Sequence, residues 1–92
     1  PAKGFESFFV RFDGVVALEL MRRTDIRDSD EGEHTGFCHV AFGVGSREAV
    51  CSLTERLRRD GYRIAGEPRQ TGDGYFESVV CDPDGNRIEI VA

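Results

Sequence analysis

An Asp-Gly pair running into an aliphatic strand with a glutamate inside it occurs twice in this chain. Asp13-Gly14 precedes Ala17-Leu18-Glu19-Leu20-Met21, and Asp84-Gly85 precedes Arg87-Ile88-Glu89-Ile90-Val91. Asp-Gly readily adopts the positive φ angles of a two-residue hairpin turn. Alternation then puts each glutamate on one face of its strand and the flanking aliphatics on the other. A hairpin end used twice points to a sheet-based fold with a duplicated unit.

The remaining elements fit that reading. Residues 5–12 are aromatic and β-branched enough for a strand, and 15–21 form its hairpin partner. Residues 24–36 are polar and acidic (Asp25, Asp28, Asp30, Glu31, Glu33) and read as a solvated linker without direct chemistry, with His34 a surface histidine. Residues 37–44 give a third strand. Ser46 can cap a helix over about 46–60, with Glu48 in its first turn, an apolar stripe at Val50, Leu53 and Leu57, Arg58 and Arg59 in its last turn and Gly61 as its stop. Strands follow at 62–67, ended by Pro68, at 75–81 and at 87–91, with turns at 71–74 and 82–85.

The predicted fold class is therefore α+β. A βαβββ module spans about 37–92, and the terminal β-hairpin of a preceding, truncated copy continues a curved, open, mixed sheet. One domain covers 1–92: 1–23 ends the first module, 24–36 links, and 37–92 is the second module. The strand at 37–44 begins about fifty residues before Glu89, but a counterpart before Glu19 would fall ahead of Pro1. A β-α-β piece of about 30–40 residues is thus expected to be missing from the first copy. The incomplete sheet edges that result predict an isologous homodimer.

Composition narrows the function. With 12 Lys+Arg against 17 Asp+Glu, the net charge of −5 argues against nucleic-acid or anionic-membrane partners. No apolar run approaches a membrane span, and no signal peptide is evident. Cys38, Cys51 and Cys81 form an odd set without CxxC, as expected of a reduced, cytoplasmic chain in which each is a small buried or half-buried side chain. A Cys38/His39 nucleophile pair is disfavoured because strand neighbours point to opposite faces.

The parity of the strands carries the chemistry. The aliphatic positions Val40, Phe42, Ile88, Ile90, Val16, Leu18 and Leu20 must meet the helix, which needs a face to cover. His39, Glu89 and Glu19 then share the opposite face. An imidazole and two carboxylates suit a divalent metal of borderline hardness. By residue type alone, exposed glutamates and a satisfied histidine are the simpler reading.

Longer wording adds to this. The run from Gly36 through Phe37-Cys38-His39-Val40-Ala41-Phe42 to Ser46, then Gly66-Glu67-Pro68-Arg69, Thr71-Gly72-Asp73-Gly74-Tyr75 and Asp82-Pro83-Asp84-Gly85-Asn86-Arg87-Ile88-Glu89, resembles the vicinal oxygen chelate superfamily over 5–92. The glyoxalase/bleomycin-resistance branch is the most similar. The resemblance implies two βαβββ modules around a metal, with His39, Glu89 and Glu19 as ligands. A further ligand of the family, on the first strand of the first module, has no counterpart in this sequence. In glyoxalase I-like members the metal holds two adjacent oxygens of a thiohemiacetal and stabilises an enediolate, while a carboxylate moves a proton between carbons. Glu89 is then the proton carrier and Glu19 a ligand or second base. The implied function is a metal-dependent lyase or isomerase acting on a small vicinally oxygenated substrate. The metal (Zn, Ni, Fe, Mn or Co) is not distinguished. A drug-sequestering protein of the bleomycin-resistance type and an extradiol dioxygenase are the alternatives.

Other residues are weaker candidates. Tyr75 and Glu77 lie on the strand before the last, where the tyrosine can approach the metal and the glutamate reads as solvated or ion-paired. Arg87 shares the face of Glu89 and can meet a substrate carboxylate. Gly43-Val44-Gly45-Ser46 lacks the third glycine of a phosphate loop. Asp82-Pro83-Asp84-Gly85 is a turn and not a calcium loop.

Overall fold

The structure is a computed structural model and describes residues 4–14, 16–27 and 35–92. His34 and the acidic residues from Asp28 to Glu33 lie outside the described residues. Two strands, β1 (Phe5–Phe12) and β2 (Val16–Arg23), are followed by β3 (His39–Gly43), helix α1 (Arg47–Arg59), β4 (Ile64–Gln70), β5 (Phe76–Cys81) and β6 (Arg87–Val91).

The second half folds as the predicted βαβββ module, with strand order β3-β6-β5-β4. β3 runs parallel to β6, with Ala41 opposite Glu89, and β6 and β5 are antiparallel, with Val79 opposite Glu89. The capping prediction for α1 holds. The Ser46 hydroxyl accepts from the Ala49 N–H at 3.1 Å, and Gly61 leaves the helix at φ 94. Val50 is fully buried against Val80 and Ile90, with Leu53, Leu57, Ile64 and Phe76 around them. Thr54 and Ser78, which the apolar stripe omits, are also fully buried. The Thr54 hydroxyl donates to the Val50 carbonyl at 2.6 Å, so the Ser78 hydroxyl is the donor in the 2.7 Å contact between them.

Three expectations need correcting. First, β1 and β2 form a separate two-stranded sheet rather than continuing the larger one. β3 pairs with β6 as first strand beside last, and no described strand takes the corresponding place beside β2. Phe12 lies opposite Val16, so the connection is longer than the two residues Asp13-Gly14. Second, the aliphatic face of the hairpin meets no helix: Leu18, Leu20 and Val16 are exposed, as is Val40 on β3. The helix packs chiefly on β5, β4 and β6. Third, β4 runs through Pro68. It is the edge strand, where a missing N–H costs no ladder bond, and its pairing with β5 shifts register on both sides of Gly66.

Candidate functional site

The side of the sheet away from α1 follows from the register. His39 stands opposite Arg87, Ala41 opposite Glu89, and Val91 opposite Glu77, and residues directly opposite project to the same face. Ile88 and Ile90 take the helix side. This parity brings His39 and Glu89 together: His39 Nε2 lies 3.4 Å from Glu89 Oε1. Both open onto a cleft of about 530 Å³ that also has Asp73, Tyr75, Glu77 and Val91 in its wall.

Glu19 lies on the face of the hairpin opposite Leu18 and Leu20, as its strand parity requires. It and His39 line one smaller cavity of about 260 Å³, between the hairpin and the β3–β6 edge, which Arg87 also lines. Glu19 does not line the larger cleft with Glu89. Among the described residues, no three His, Cys, Asp or Glu side chains converge closely enough to hold a metal ion. The donor chemistry of His39 and Glu89, one imidazole nitrogen beside one carboxylate oxygen, fits two positions of a borderline divalent ion.

Glu77 is not the solvated residue its strand position suggests. It is 8% exposed and its carboxyl is pushed above the usual glutamate range. Burial is the main cause, the neighbouring Glu89 carboxylate adds to it, and the Arg69 guanidinium opposes it. Arg69 also donates to the Glu77 carbonyl at 3.3 Å. Tyr75, by contrast, is exposed. Strand alternation is the signal that places Glu77 in the cleft, but its burial depends on neighbours from β4 and β6 that alternation does not report.

The cysteines depart from expectation as well. Cys38 and Cys51 are exposed, and only Cys81 is buried. Cys38 does touch His39: its Sγ lies 3.3 Å from His39 Nδ1. The strand begins at His39, so Cys38 precedes the pleat and the opposite-face rule does not reach it. The 82–85 segment is the expected turn. Asp82 Oδ1 accepts from the backbone N–H groups of Asp84 and Asn86 at 3.0 and 2.7 Å, and Oδ2 from the Asn86 side chain at 2.8 Å. Gly43 to Ser46 serves as the entry to α1, its serine occupied as the cap.

The family model of the glyoxalase/bleomycin resistance protein/dioxygenase superfamily matches residues 2–90. The chain belongs to this superfamily. Its fold agrees with glyoxalase I from Zea mays, with a TM-score of 0.77 and 27% identity over 97% of this chain and 31% of that one. It also agrees with the glyoxalase family protein from Enterococcus faecalis (TM-score 0.70, 22% identity, 94% of this chain and 66% of that one), a likeness of fold. The uncharacterized protein YqjT of Bacillus subtilis is 37% identical over 60 residues, which is 62% of this chain and 47% of that protein. This superfamily member thus spans about half the length of the curated relative it matches, and a third of the maize enzyme.

Proposed function

We propose that the protein is a metal-dependent lyase or isomerase of the glyoxalase type acting on a small vicinally oxygenated substrate. The observation that supports this reading is the meeting of His39 and Glu89 across β3 and β6, 3.4 Å apart in an open cleft. Those two side chains would hold a divalent metal. Glu19 shares a cavity wall with His39 but not the cleft of Glu89, so it would supply a third donor only with the hairpin closed toward β6. Such an ion supplies Lewis acidity, which lowers the cost of negative charge on a substrate oxygen.

The chain's own groups account for the rest. Glu89 is the proton carrier: its side chain is 21% exposed, so it reaches the cleft while remaining partly shielded from water. Glu77, buried beside it, holds its own proton more tightly than an ordinary glutamate. Tyr75 stands exposed on the cleft wall and can orient a substrate oxygen.

The test is turnover of a thiohemiacetal formed from a 2-oxoaldehyde and a small thiol, with zinc, nickel, cobalt and manganese supplied in turn. Glu89→Gln should lower the rate by about 10²–10⁴-fold, the span of a general acid–base group. Absence of turnover by the wild type with every metal contradicts the reading. A ligand-sequestering cleft of the bleomycin-resistance type is the second reading. The approach of His39 to Glu89 favours it, because a protonated imidazole and a carboxylate can pair there without an ion.

A further inference from the structure

The largest cavity of the three described lies away from Glu89, at the turn joining β5 and β6. It measures about 810 Å³, and four arginines line it: Arg22, Arg23, Arg27 and Arg63. They come from two separate parts of the fold. Arg22 and Arg23 end β2, Arg27 follows the hairpin, and Arg63 immediately precedes β4. Arg63 is held by its backbone, since its carbonyl accepts from the Cys81 N–H at 2.9 Å.

The charge of these groups is unevenly compensated. Arg22 pairs with Glu6 at 2.7 Å, and Arg23 pairs with Asp25 through two contacts of 2.9 and 2.6 Å. Arg27 and Arg63 have no ion-pair partner among the described residues. Two acids, Asp82 and Asp84, also line the cavity, and Asp82 is held in place by the hydrogen bonds that both its carboxylate oxygens accept within the turn. Arginines thus outnumber acids four to two in the cavity wall, on a chain whose net charge is −5. A guanidinium is a rigid, always charged fork matched to oxyanions. Donors arriving from the hairpin on one side and the start of β4 on the other suit a tetrahedral anion. Its oxygens point in several directions, whereas those of a carboxylate lie in one plane.

We propose that this arginine-lined cavity is a binding site for a phosphoryl group, with Arg27 and Arg63 as its principal ligands. The site stands independently of the reading of His39 and Glu89, and neither of those residues touches it. The test is calorimetric titration of the full chain with pyrophosphate and with inorganic phosphate, at constant ionic strength so that screening is the same in each run. Tricarballylate, which carries only carboxylates, is the comparison ligand.

Pyrophosphate should bind saturably at one site and more tightly than tricarballylate. Arg27→Gln and Arg63→Gln should each weaken it about tenfold or more, the loss expected for a hydrogen-bonded charge. Both positions are exposed, so the variants should fold, which far-ultraviolet circular dichroism checks. Arg59→Gln, on the last turn of α1 and away from the cavity, should bind as the wild type does. The proposal is overturned by absence of saturable pyrophosphate binding, by equal weakening in Arg59→Gln, or by tricarballylate binding as tightly as pyrophosphate.

Discussion

The hairpin and the βαβββ module share a local pattern, a turn feeding a strand with glutamate between aliphatics, but they differ in what covers the aliphatic side. In the module, α1 lies over β5 and β6, and Ile90 is 2% exposed. In the hairpin, Leu20, the corresponding neighbour of Glu19, is 54% exposed. A two-stranded sheet is marginal in water, and a sheet face becomes a core only when a second layer meets it. The hairpin's side-chain link to the module includes Phe12, whose ring centroid lies 5.4 Å from that of Phe42. The same difference separates the two glutamates: among the described residues, Glu89 stands on a strand paired on both sides and Glu19 on one paired with β1 alone.

The largest expected effect sharpens that contrast. Ile90→Ala should cost about 2–5 kcal/mol by leaving a cavity beneath α1. Leu20→Ala should stay within about 0.5 kcal/mol, as for other exposed positions. Urea denaturation midpoints measure both, and equal losses would mean that the hairpin has a core of its own.

A smaller effect concerns the polar contact inside the module. Thr54→Val removes the acceptor of the buried Ser78 hydroxyl and should cost about 1–3 kcal/mol. Adding Ser78→Ala should recover part of this, because it removes the stranded donor as well. A double-mutant cycle in thermal denaturation checks the coupling.

The smallest of the three is a pH effect. Glu77 binds its proton more tightly in the folded protein than in the unfolded chain, so stability falls as pH rises from the ordinary glutamate value of 4.5 through the raised folded value. In metal-free protein, Glu77→Gln should therefore be more stable than wild type at neutral pH, with a flatter profile above pH 4.5 and convergence below it. Chemical denaturation across that range measures it, and a variant less stable at neutral pH would contradict the burial argument.

Much of this arrangement is legible in the sequence because it is local. Ser46 and Gly61 mark the helix ends, and alternation alone puts His39 and Glu89 on one face and Ile88 and Ile90 on the other. Pro68 misled because its tolerance depends on β4 being an edge strand, a property of sheet order. Glu77 misled because alternation reports a face but not how deeply that face is covered. Cys38 reaches His39 because the pleat starts two residues later than the aromatic run at Phe37 implies. The four arginines line one cavity because the hairpin's end and the start of β4 both flank the β5–β6 turn, segments far apart in the chain.

Whether His39 and Glu89 hold a metal with help from Glu19 is tested most directly by elemental analysis of the full chain. Wild type, His39→Ala, Glu89→Gln and Glu19→Gln are each loaded with zinc, nickel, cobalt or manganese and dialysed against metal-free buffer. The wild type should retain bound metal and each variant should retain it at least about tenfold more weakly, since even the loss of outer-shell partners costs about 10–100-fold. A wild type that retains no more divalent metal than the three variants would contradict it.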